Sequence, residues 1–190
     1  MEHSIFAMEV CARMDPGSYL HRTLFESVQG HCERMSLNQK WHQYRRAQMA
    51  LLSSLQLVEK GCWDYFDDDA RARKDFAMWT GGMTTEEGAR KAPSGMPDVY
   101  RGQPRYLTFT MAFLLVQGSP TDRMLHTICN VPQARLWHRD VFGHLLQNLG
   151  NVSFASVASD VIYLIPRDDG WGLTPEDLMD PKFHYLRPLV

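Results

Sequence analysis

Apolar positions recur on a helical period through much of this 190-residue chain. Leu20, Leu24, Phe25, Val28 and Cys32 form one stripe after Ser18, a natural N-cap, so a helix is expected over residues 18–34. Trp41, Tyr44, Gln48, Leu51, Leu55 and Val58 follow three- and four-residue steps that predict a helix over residues 38–60, closed by Gly61. The short connection at residues 35–37 implies an antiparallel helical hairpin. Residues 4–14 are apolar-rich without a clean period, which fits a strand or a first helical turn, and Asp15-Pro16-Gly17 breaks them. Trp63 to Phe66 read as an aromatic joint. Asp67, Asp68 and Asp69 then suit a helix N-terminus, and that helix should end near Thr80.

Glycine and proline punctuate residues 81–104, which read as a long loop between an N-terminal helical part, residues 1–80, and a second part, residues 105–190. Residues 106–116 fit two periods. Leu107, Phe109, Met111, Phe113 and Leu115 alternate as a buried strand would, whereas Tyr106, Phe109, Phe113 and Val116 make a helical stripe. The stop at Gly118 and the restart at Ser119-Pro120 tip the reading to helix. A short helix over residues 121–129, a connection over 130–139 and a helix starting at Asp140 and ending at Gly150 follow. Residues 152–157 and 161–165 read as a β-hairpin, and Thr174-Pro175-Glu176-Asp177 caps a last short helix before an apolar tail at 183–190 that docks on the body. The expected fold is mainly α with a small β-hairpin. The alternative is an α+β fold with residues 106–116 as a central strand.

Helix, short helix, helix and hairpin over residues 105–166 resemble a winged helix-turn-helix domain. Leu114-Leu115-Val116-Gln117-Gly118-Ser119-Pro120 and Leu145-Leu146-Gln147-Asn148-Leu149-Gly150-Asn151-Val152 carry the likeness. The resemblance implies a second helix that reads the DNA major groove, showing Arg139, His144, Gln147 and Asn148 as base readers. Arg123, Arg135 and Arg167 are the nearest cations for phosphate contact. Many such modules bind proteins instead, so the expected partner is DNA or a protein.

Composition narrows the classes further. Hydrophobic residues make up 44% and charged residues 22%, ordinary for a globular protein. A net charge of −2 leaves any nucleic-acid binding to a local patch. Cys11, Cys32, Cys62 and Cys129 form no CxxC, and the N-terminus lacks a signal-peptide pattern, so reduced thiols and a cytoplasmic location are expected. The longest uncharged stretch, residues 106–121, is too short to span a bilayer, which needs roughly 20 apolar residues.

Other clusters have a plain reading beside a chemical one. Lys40, Trp41, His42, Tyr44, Arg45 and Arg46 suit single-stranded nucleic acid, or simply an amphipathic helix with solvated cations. His138, Asp140 and His144, with His126, offer mixed metal ligands, although Asp140 is equally a helix cap. Asp67 to Asp69 fit a divalent cation or a dipole-favoured cluster. No cofactor motif is present, and none is expected. The leading expectation is a non-enzymatic regulatory or adaptor protein, with the hairpin at 18–60 available for homodimer assembly. The alternative is a metal- or thiol-dependent hydrolase using the His138/Asp140/His144 region.

Overall fold

The computed structural model describes residues 2–15, 17–32, 34–82, 102–166 and 172–190. The chain forms one five-stranded antiparallel sheet with helices on it, so the mainly helical expectation is corrected to an α+β fold. Strands β1 (His3–Arg13), β2 (Val58–Phe66), β3 (Tyr106–Val116), β4 (Val157–Ile165) and β5 (Arg187–Pro188) lie in the order β4-β3-β1-β2-β5. Helices α1 (Tyr19–Gln29) and α2 (Leu37–Ser53) follow β1, and α3 (Asp69–Gly82) follows β2. After β3 come α4 (Pro120–Ile128) and α5 (Arg139–Leu149).

β1 is the middle strand, and it is covered on both faces, so all but its last residue are buried. A strand buried on both sides carries a continuous apolar run, and that hides the alternation that would reveal it. Phe6, Met8, Val10 and Ala12 point into the main core with Leu24, Tyr44, Leu51, Phe142 and Leu146 from α1, α2 and α5. Ile5 points the other way, into a smaller cluster with Leu114, Ala72 and Phe76 that seats α3. Cys11 and Cys62 join Tyr106, Leu173, Phe183 and Leu186, where the C-terminal segment closes over the same face.

β3 pairs with β1 along its whole length and with β4 on its other edge. Residues 106–116 are therefore a strand and not the helix the sequence favoured; Phe109, Phe113 and Leu115 enter one core while Leu114 enters the other. The expected hairpin at 152–157 and 161–165 is also corrected. Residues 154–156 form a single 3-10 turn, and Val157–Ile165 is one strand. The winged-helix arrangement is absent, because its presumed first helix is a sheet strand and its wing is another.

The helix expected over residues 38–60 ends at Ser53. Its stripe runs on through Leu55 and Val58 only because β2 begins there, and Gly61 lies inside β2 opposite Val10. Helix starts are better marked. The Ser18 hydroxyl accepts from the His21 amide, Ser36 and Gln39 cap α2 reciprocally, and Ser119 accepts from Asp122 with Pro120 in the first turn. The tail does dock: Leu186 and Leu189 are buried, and β5 pairs with β2.

Candidate functional site

A transverse row of four side chains crosses the sheet on the face shared with α3. Cys62 of β2, Glu9 of β1, Thr110 of β3 and Tyr163 of β4 are successive cross-strand partners, so the pleat points them the same way. They floor a cavity of about 700 Å³, within the range of small-molecule sites. Arg71, Asp75, Met78 and Trp79 supply one wall from α3, at spacings of four, three and one that keep them on one helix face. Lys182, Phe183, Tyr185 and Arg187 supply the opposite wall. The rings of Trp79 and Tyr185 meet edge to face with centroids 6.1 Å apart, joining the two walls.

Glu9 is only 3% exposed, as is Thr110 beside it. The Tyr185 hydroxyl donates to its Oε2 at 2.7 Å. Burial pushes the Glu9 carboxyl above its usual range, and hydrogen bonds from Tyr185 and then Thr110 pull partly back. Thr108 contributes least, and its buried hydroxyl has no partner at hydrogen-bond distance. Burial likewise raises the Tyr185 phenol, reinforced by the Glu9 charge beside it. Nearer α3, Asp64 is raised by burial, lowered by Arg71 and raised again by Asp75. The Arg71 guanidinium lies 3.2 Å from the Phe66 ring centre and faces Asp75 at 3.4 Å.

Cys11, Cys62 and Cys129 are not activated as thiolates in this setting. Burial pushes Cys11 and Cys129 up to about 12, and raises Cys62 with help from Glu9 and Asp64, so each stays protonated near neutral pH.

The residues singled out from sequence lie elsewhere. On α5, His144 and Gln147 are exposed and Asn148 is half-buried, donating to the His144 carbonyl at 2.8 Å. Arg139 does not face outward as a base reader would. Its guanidinium donates to the carbonyls of Leu55 (2.8 Å) and Val58, holding the turn before β2. Arg135 pairs with Asp140, which is therefore not the helix cap; His138 occupies that position. Arg123 is exposed on α4, and Arg167 lies outside the described residues. His126, His138, Asp140 and His144 do not assemble: among the described residues no three of His, Cys, Asp or Glu form a metal-holding group. Lys40 and Tyr44 are turned inward onto Asp160.

Sequence reasoning missed Glu9 and Tyr185. The available signal was Glu9 itself, a lone carboxylate inside an otherwise uncharged stretch at residues 4–12. Nothing local marks Tyr185 as its partner 176 positions away. Comparison with family models, with curated proteins and with solved structures finds no match for this chain. No helix among the described residues is long and apolar enough to cross a membrane.

Proposed function

We propose that this protein binds a small organic molecule in the cavity between the sheet, α3 and the C-terminal segment. The observation that carries this is Glu9: a carboxyl in mid-strand, at the floor of a cavity of about 700 Å³, where an ordinary core would place an apolar side chain. Aromatic walls around a few convergent polar groups are the usual make-up of a ligand site. Binding is favoured over catalysis because the polar groups at the cavity floor are a carboxyl held by hydroxyls and a protonated thiol, without an activated nucleophile beside a base.

Recognition of DNA or a protein by the outer face of α5 has less support. Arg139 is spent on backbone carbonyls and Arg135 on Asp140, which leaves His144 and Gln147 with little cationic company. A cytoplasmic location accords with four unpaired cysteines.

The test is a thermal-shift screen of a chemically diverse small-molecule library against wild type and Met78→Trp. Met78 lines the cavity but is 64% exposed, so the larger ring narrows the mouth without disturbing the core. Compounds that raise the melting temperature of wild type should do so much less in the variant. Equal shifts in both proteins would move the binding site elsewhere.

A further inference from the structure

We infer that the cavity takes an organic cation, a protonated amine on an aromatic or apolar body, with the Glu9 carboxylate as its counter-ion. This rests on the cavity being a ligand site. Three observations lead to it.

The first is the arrangement of charge with depth. Glu9 lies at the floor at 3% exposure, and the Asp75 side chain on α3 is 20% exposed. The lining cations stand outside them: the Arg71 side chain is 55% exposed, and Lys182 and Arg187 are exposed. The acids lie deeper than the bases, so the cationic end of a bound ligand is favoured at the floor over the mouth.

The second is what faces Glu9. From β1 there is Cys11, and from β2 Cys62, with Asp64 beyond it on one side and Lys60, the partner of Cys11, on the other. Thr110 and Thr108 face it from β3, Tyr163 lies past Thr110 on β4, and Tyr185 comes from the C-terminal segment. Arg71 and Asp75 of α3 pair with each other, and Lys182 stands 5.2 Å from the Phe183 ring centre. The groups that act on Glu9 are hydroxyls, and no cation is among them. A buried carboxylate is stable only with a counter-charge, and an entering ammonium supplies one. The third is the wall. Phe66, Trp79, Trp137, Tyr163, Phe183 and Tyr185 surround the space, and ring faces attract cations as well as apolar groups.

The proton balance follows. Burial raises the Glu9 carboxyl, and an ammonium beside it favours the carboxylate, so whatever proton Glu9 holds in the empty site passes to solvent on binding. The ligand arrives already protonated, so each binding event releases up to one proton near neutral pH.

Three probes on one phenyl-alkyl frame test this: 2-phenylethylamine, the equal-sized 2-phenylethanol, and the slightly larger 3-phenylpropionate. Binding to the full chain is followed by tryptophan fluorescence, with Trp79 and Trp137 in the cavity. Calorimetry at one pH in two buffers of different ionisation enthalpy counts the protons. The amine should bind at least tenfold tighter than the alcohol and release protons, and Glu9→Gln should abolish both the preference and the release. Should Glu9→Gln fail to fold, the amine-over-alcohol preference of wild type still decides. Equal binding of amine and alcohol without proton release overturns the cation while leaving the cavity as a ligand site. So does a preference for the acid. No binding by any probe, together with an empty library screen, overturns both.

Discussion

A methyl group on Gly61 would stand 2.5 Å from Cε1 of Phe142 and 3.1 Å from the Glu9 carbonyl. Glycine is required in the middle of β2 by close approach of a neighbour, not by a turn. Gly61→Ala should therefore cost about 1–3 kcal/mol, as overpacking does. Gly81 has nothing within 4 Å of its Cβ position, and Gly81→Ala should cost nothing. Urea unfolding of the two variants checks the contrast; equal stabilities would show that Phe142 swings aside freely. Glu9 makes a second residue-scale prediction. Its carboxyl titrates above the ordinary 4.5 in the folded chain. Below the ordinary value both states hold the proton, and the folded chain is at no disadvantage. As pH rises the unfolded chain releases its proton first, so stability falls until the raised folded value is passed. Glu9→Gln removes this dependence. The stability difference between variant and wild type should shift in the variant's favour from pH 5 to pH 8, measured by chemical unfolding. Asp64 is raised in both proteins and cancels. A difference that does not change with pH would mean that Glu9 ionises normally in the folded chain.

Between elements, the firmest polar tie joins the α1–α2 hairpin to β4. Asp160, 3% exposed at its side chain, accepts from Lys40 Nζ and from the Tyr44 hydroxyl at 3.0 Å, with His31 Nε2 at 3.6 Å. Removing one partner of a buried pair leaves an uncompensated charge, so Lys40→Met should cost about 3–5 kcal/mol. The double variant Lys40→Met with Asp160→Asn should recover most of that loss. Additive costs in the double-mutant cycle would show that the two groups do not interact. This tie also explains a misleading sequence signal. Lys40 reads as a solvated cation beside the apolar Trp41 and Tyr44, yet it turns inward with Tyr44 because β4 brings a carboxylate beneath them. What was read locally was the helix starts at Ser18 and Ser119, since caps are written within four residues, whereas the cap of α2 is Ser36 and not the expected start at Asn38. The strands were legible only in part: residues 4–14 and 106–116 each fitted a strand as well as a helix, and 161–165 read as a strand. β1 and β3 are buried on both faces and lack polar alternation, and β2 follows α2 after one 3-10 turn without breaking the apolar rhythm. The site was hidden for a related reason. Its four-residue row comes from four strands, and cross-strand register leaves no mark in local spacing.

At the scale of the whole molecule the chain order and the sheet order disagree, and that disagreement sets how the protein folds. β1 and β2 come from the first eighty residues, but β1 pairs along its length with β3, which follows the Gly/Pro-rich stretch. The main core mixes the same two regions: Tyr44 of α2 packs its ring 5.0 Å from Phe113 of β3 and 5.0 Å from Phe154, and Phe142 of α5 fills the space above Gly61. A chain ending at residue 80 would keep β1, α1, α2, β2 and most of α3. It would lose β1's longest pairing and bare one side of Phe6, Met8 and Val10. Long-range pairing of this kind yields stability only once the intervening loop has closed, so neither part has a complete core alone. The fragment 1–80 should therefore show no cooperative unfolding transition and no fixed near-ultraviolet signal from Trp41, Trp63 and Trp79. The full chain should unfold in one transition seen alike by far-ultraviolet circular dichroism and by tryptophan fluorescence. Adding the fragment 105–190 to the fragment 1–80 should restore protected amides along β1 in hydrogen exchange. A cooperative transition in fragment 1–80 alone, with β1 amides already protected, would instead make the first eighty residues an independent folding unit on which β3 merely docks.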